Sequence, residues 1–368
     1  MNTNLRNLLL SLALAVPFSA PFNANAATSS YSAVTSNETS ANREVKYNGP
    51  LNIKIITRMD YQREYQQTDK LDDRSGFRGN NVMINMQGNI TEKFSYRFRH
   101  RINQTKSNNS FFDGTDYLWL QYNFNNRFDI RAGKVAIEYG STEYQRDPSD
   151  QYFFSEYWNY PACYLFGVNL GYNITDNDRL VAQVAESSFR TKENDLYAYA
   201  LSWYGNHNWF HTMYTANMTE YRDGKYIYYL SFGNQFDLSR NVTLNIDYQN
   251  RFDSKDNFFK DCTLRGELMY RPSDHINLIG LAVYSGNKVR DMGPTYIKYG
   301  TDLTRFGGVV EYRPIPKIDN SLVLHAAYSY ATGYEGVEEV SPKQNRHLFS
   351  VGVHWEIDVV ALAKKIWK

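Results

Sequence analysis

The chain has 368 residues, of which 40 are basic and 39 acidic, for a net charge of +1. That balance excludes the one-signed surface by which nucleic-acid binders gather phosphate. Its 31 Tyr, 21 Phe and 6 Trp beside 10 Pro argue against disorder and suit the two aromatic girdles of a membrane β-barrel. No stretch approaches the roughly 18 consecutive apolar residues of a transmembrane helix.

Taken in chain order, residues 1–26 combine Arg6, the apolar run Leu8 to Val16 and the small-residue site Ala24-Asn25-Ala26. That pattern predicts a secretory signal peptide cleaved after Ala26. Residues 27–48 are rich in Ser, Thr and Asn and read as a flexible lead-in. From residue 49 to 358 the pattern repeats: a stretch of alternation, a break, another stretch. Sixteen such segments lie near 51–61, 77–90, 94–103, 115–124, 128–137, 164–174, 179–189, 196–204, 209–219, 226–237, 242–251, 262–270, 276–285, 305–313, 321–331 and 347–358. Each reads as a strand with one apolar face. Residues 359–368 form a short basic amphipathic tail, read either as a helix or plug or as a frayed end.

The breaks alternate too. One set is short and made of turn residues, among them Thr91-Glu92-Lys93, Asn125-Asn126-Arg127 and Asp176-Asn177-Asp178. The other set is mostly longer, near 62–76, 104–114, 138–163, 190–195, 220–225, 252–261, 286–304 and 332–346. Short turns on one side, long loops on the other and an even strand count predict an all-β fold, a transmembrane antiparallel barrel of about 16 strands with short periplasmic turns and long extracellular loops. Tyr122 and Phe124, Tyr172, Tyr204, Phe236, Tyr270 and Tyr312 stand near the short turns and are expected in the periplasmic girdle. Cys163 and Cys262 are the two cysteines, and the compartment permits a disulfide without requiring one.

The strand Phe94 to Asn103 puts Arg97, Arg99 and Arg101 on one face. Arginine toward lipid at mid-bilayer costs about 2–4 kcal/mol, so that face points into the lumen. Parity likewise turns Lys54, Arg58, Arg131, Arg251, Arg265, Arg305 and Arg313 inward, along with Asp60, Asp129, Asp247, Glu267, Glu311 and Glu356. Such a wall either braces itself through ion pairs or offers an anion path, for which the candidates are Arg58, Arg97, Arg99, Arg101, Arg131 and Arg265. Residues 138–163 form a loop far longer than a hairpin turn, rich in aromatic and acidic side chains. Loops of that length are usually functional, and this one is expected to fold into the barrel as its third loop and set the narrowest point.

The run Gly133-Lys134, Tyr139-Gly140 and Glu143-Tyr144-Gln145-Arg146-Asp147-Pro148-Ser149-Asp150, followed by Cys163-Tyr164 and Gly167-Val168, resembles the phosphate-selective porin O/P family, in the form found in Bacteroides-like bacteria. The resemblance implies a sixteen-stranded, trimeric porin of the Gram-negative outer membrane, with Glu143, Tyr144, Arg146, Asp147 and Asp150 in its constriction loop. It implies outer-membrane lipid and small anionic solutes as partners, no nucleic acid and no cofactor. Well-studied members line the constriction with lysines, whereas this loop offers Arg146 and the strand-end Lys134 beside several acids. The alternatives are a structural or adhesin-type barrel and a barrel enzyme. His211, His325 and His354 are scattered rather than set beside a nucleophile.

Overall fold

The structure, a computed structural model, describes residues 49–366 apart from 105–109, 159–161, 191–194, 291–296 and 340. The expected signal peptide, the lead-in and Tyr160 lie outside the described residues. The strands are β1 (Asn52–Gln66), β2 (Asp69–Lys70), β3 (Gly76–Asn89), β4 (Phe94–Arg101), β5 (Thr115–Asn123), β6 (Phe128–Ala136), β7 (Tyr164–Asn173), β8 (Asp178–Glu186), β9 (Tyr197–His207), β10 (Phe210–Arg222), β11 (Lys225–Ser239), β12 (Val242–Phe252), β13 (Asp261–Ser273), β14 (Ile276–Asn287), β15 (Asp302–Tyr312), β16 (Val323–Tyr334) and β17 (Gln344–Asp358). Each barrel strand is antiparallel to its sequence neighbours, and β17 returns to β1, with Ile55 opposite both Ile84 and Ile357. The sheet therefore closes into a sixteen-strand barrel. The two-residue β2 stands outside that count, pairing only with Tyr65 and Gln66 at the end of β1.

Alternation explains both faces. In β9, Ala198 and Ser202 are buried inside while Tyr199, Leu201 and Trp203 are exposed outside, Leu201 by 53%. The exposed apolar side chains recur strand after strand, including Val168 and Leu170 on β7, Leu268 on β13 and Phe349 and Val351 on β17. Large exposed apolar residues around a closed sheet with a polar interior are the inverse of a soluble domain, and a hydrocarbon surround resolves the inversion. No described helix is long and apolar enough to cross a membrane, which says nothing of strands.

The short turns are locked by their own side chains. Thr91 Oγ1 accepts from the amides of Lys93 and Phe94, and Asn125 Oδ1 accepts from those of Arg127 and Phe128. Thr175 Oγ1 likewise accepts from Asn177 and Asp178. These are the local bonds that favour Thr and Asn in tight turns. Of the residues expected in the girdle, Phe124, Tyr172, Tyr270 and Tyr312 are exposed on the outside. Tyr204 is a correction: its hydroxyl donates to Glu138 inside the barrel, and its neighbour Trp203 takes the outward place.

No disulfide joins Cys163 to Cys262. Over its described part the tail is helical rather than frayed. Val359–Ile366 forms helix α2, capped by Asp358 Oδ1 accepting from the Ala361 amide at 2.8 Å, and packs beside β1 and β17.

Candidate functional site: a loop folded across the lumen

The loop leaves β6 with the Ile137 amide bonded to the Cys163 carbonyl, so its two ends start side by side. It then turns through Gly140 at φ +65° and Ser141 at φ +143°. A Cβ on Gly140 would sit 2.5 Å from Thr215 Oγ1 of β10, so only glycine allows the backbone this close to the wall. Ser141 carries the strained φ itself, a conformation that persists only where its surroundings fix it. Its hydroxyl caps the one-turn helix α1 (Thr142–Gln145) by accepting from the Tyr144 amide. The Asp247 carboxylate on β12 accepts from the Thr142 amide at 2.7 Å, the Thr142 hydroxyl at 2.6 Å and the Glu143 amide at 3.2 Å. A carboxylate at those first amides meets the positive end of the helix.

The loop then crosses to the far wall. Arg146 forks onto Glu267 of β13, with 2.8 Å for its Nη1 bond. Asp147 caps a short turn of helix, Pro148–Asp150, by accepting from the Ser149 amide. Arg58 of β1 donates Nη1 to the carbonyls of Ser149 and Gln151, at 3.2 and 2.5 Å, and lies over the Tyr152 ring. Tyr152 donates to Glu311 of β15 at 2.8 Å, and Asp150 lies 3.4 Å from His354 of β17. Phe153 enters an apolar patch of inward side chains, Ile279, Leu281, Val283, Val309 and Ala327. Gly307 leaves the socket, since a Cβ there would stand 2.6 Å from the Phe153 ring. Tyr139 and Tyr157 pack with Ile227 and Tyr229 on the opposite side. The loop is thus held from β1, β10, β12, β13, β15 and β17, spanning the barrel from wall to wall.

Beside it stands the arginine face of β4. Arg97 donates to Asn85 at 3.0 Å and lies over the Tyr117 ring. Arg99, 2% exposed, donates to Asp116 at 2.9 Å, to Asp147 at 2.5 Å and to the Tyr164 hydroxyl at 2.6 Å. Arg101 shares Asp116 at 2.8 Å. β4 carries no acid of its own, and Asp116 reaches these arginines from the adjacent β5. Asp147 of the loop meets Arg99 there as well.

The other candidates are dispersed. Arg58 and Arg265 act on the loop and its anchors: Arg265 bonds Glu267 at 2.5 Å and Asp247 at 3.4 Å. Arg131 bonds Gln121 and stacks on Trp119 at 4.4 Å. Glu143 is buried, accepting from the Ser155 amide and hydroxyl, and burial pushes its carboxyl up against the opposing pull of Arg265. Tyr144 is a packing residue beside Tyr139, Tyr157 and Trp158. Lys134 is not with them. Its cross-strand neighbours Leu118 and Phe166 both face out, and its Nζ donates to the Phe112 carbonyl. Sequence reasoning missed Asp116, Gly307 and the wall role of Asp247. Parity marked Asp247 as inward, but nothing local said what it would hold. Among the described residues no His, Cys, Asp and Glu cluster is arranged to hold a metal ion.

A closed sixteen-strand barrel with an apolar exterior, a polar interior and a loop across its lumen is the architecture of an outer-membrane porin. Residues 51–207 match the model of phosphate-selective porin O and P. No curated protein sequence matches the chain. Solved structures share the fold at low identity. An anion-selective porin from Comamonas acidovorans superposes with TM-score 0.60 at 7% identity, covering 84% of this chain and 100% of that one. The outer membrane channel DcaP of Acinetobacter baumannii gives 0.59 at 9%, over 83% and 97%. The trimer form of OmpT from Vibrio cholerae gives 0.55 at 11%, over 84% and 100%.

Proposed function

We propose that this porin lets small hydrophilic solutes diffuse passively and prefers anions such as phosphate, with residues 138–163 setting the narrowest point. The observation that carries the reading is the β4 face, where Arg97, Arg99 and Arg101 stand against Asp116 and Asp147 at the level of the docked loop. Low-dielectric walls focus the field of such arginines and enrich anions locally. Arginine suits oxyanions because its planar fork stays charged and grips two oxygens. Arg58, Arg131 and Arg265 are the further arginines of the anion path, while Glu143, Tyr144, Arg146, Asp147 and Asp150 shape the constriction. The assembly is a homotrimer embedded in outer-membrane lipid, and residues 1–26 are the secretion signal. A planar-bilayer recording under a salt gradient tests the transport reading. A reversal potential on the anion side is expected, and a cation-side value, or no conductance at all, overturns it. A detergent-extracted mass of a single chain overturns the trimer.

A further inference from the structure

Helix α2 packs beside β1 and β17, and its chemistry points to the membrane surface. At 100° per residue, Val359, Leu362, Ala363 and Ile366 fall on one stripe, and Ala361, Lys364 and Lys365 on the opposite side. Leu362 is 48% exposed and Ile366 69%, so the protein itself leaves the apolar stripe uncovered. The helix starts directly after β17, whose outward Trp355 donates its indole N–H to Asp319 of the short-turn side at 2.7 Å. That ring marks the rim of the lipid-facing belt, where amphipathic aromatics sit. Asp358 is three residues further, so the helix begins about 10 Å past the ring at most, at headgroup depth.

We propose that α2 is an interfacial anchor lying on the periplasmic leaflet, its apolar stripe in the acyl boundary and Lys364 and Lys365 on anionic phospholipid headgroups. The uncovered stripe is continuous with the lipid-facing belt, and the two lysines complement a negative surface. A short helix with separated apolar and basic faces behaves in this way. Each lysine near such a surface raises the bound population about five-fold, and the pair about thirty-fold.

The test uses the whole protein with Cys163→Ser and Cys262→Ser, labelled with a bimane at Ala363→Cys on the stripe or at Ala361→Cys opposite it. The labelled protein is reconstituted into vesicles of phosphatidylcholine alone or mixed with phosphatidylglycerol. The expected result is quenching of position 363 by doxyl-labelled acyl chains, quenching of position 361 by iodide, and lipid quenching that grows with phosphatidylglycerol. Lys364→Glu with Lys365→Glu should remove that growth. Equal iodide access at both positions overturns the proposal, as does lipid quenching indifferent to phosphatidylglycerol and to charge reversal. Ending the chain after Asp358 should leave single-channel conductance unchanged; a rise would mean that the tail obstructs the pore and would also overturn it.

Discussion

At the scale of single residues, the arginine face is governed by one carboxylate. Asp116, 2% exposed, takes bonds from both Arg99 and Arg101. Stripping one partner from a buried ion pair costs about 3–5 kcal/mol, yet here removing the acid also uncovers positive charge in the lumen. Asp116→Asn should therefore lower the urea midpoint of the folded barrel while moving the reversal potential further to the anion side. Opposite signs in the two readouts are the signature, and an unmoved potential would assign these residues to bracing alone. The complementary change, Arg97→Gln with Arg99→Gln and Arg101→Gln, should move the potential toward cations. Because the Debye length grows from about 8 Å at physiological salt to about 30 Å at 0.01 M, that shift should widen as salt is lowered.

At the scale of elements, the loop is fixed by a few dockings whose geometry can be addressed one at a time. Removing residues 149–159 deletes the contacts to Arg58, Glu311 and the apolar patch, and conductance should rise; an unchanged value in a folded barrel would place the constriction elsewhere. Gly307→Leu is the gentler version. A side chain at that position must displace the Phe153 ring, which otherwise fills the socket, so a noisier and larger conductance is expected in single-channel records. The strands themselves were legible because alternation with period two survives in almost every segment. What the alternation could not supply was register. Asp116 faces Arg99 and Arg101 only because β4 and β5 pair as they do, and no spacing within β4 contains that fact. Tyr204 failed for a related reason: near the end of β9 a ring can be recruited by whatever enters the lumen, and Glu138 of the loop recruits it. The two-residue β2 lies below the length at which any periodicity can be read.

At the scale of the whole molecule, the barrel is a protein turned inside out, and that inversion makes a quantitative demand. On β7 the outward residues Phe166, Val168, Leu170 and Tyr172 are all exposed, while Asn169 between them is buried and bonded to Gln183. Val168 lies near the middle of the strand, and Tyr172 lies beside the short turn at its end. If the exposed band is surrounded by hydrocarbon, an arginine on it must be penalised according to depth: about 2–4 kcal/mol at the midplane and about 0–1 near the interface. Val168→Arg and Tyr172→Arg sit on one strand and one face, so packing context differs little between them. Refolding into phospholipid vesicles with a urea titration should show Val168→Arg losing several times more stability than Tyr172→Arg. In detergent micelles, where a charged side chain readily reaches water, the gap should shrink. Equal losses at the two positions in vesicles would mean that this face is not lipid-exposed, and with it would fall the depth assignment on which the interfacial placement of α2 rests.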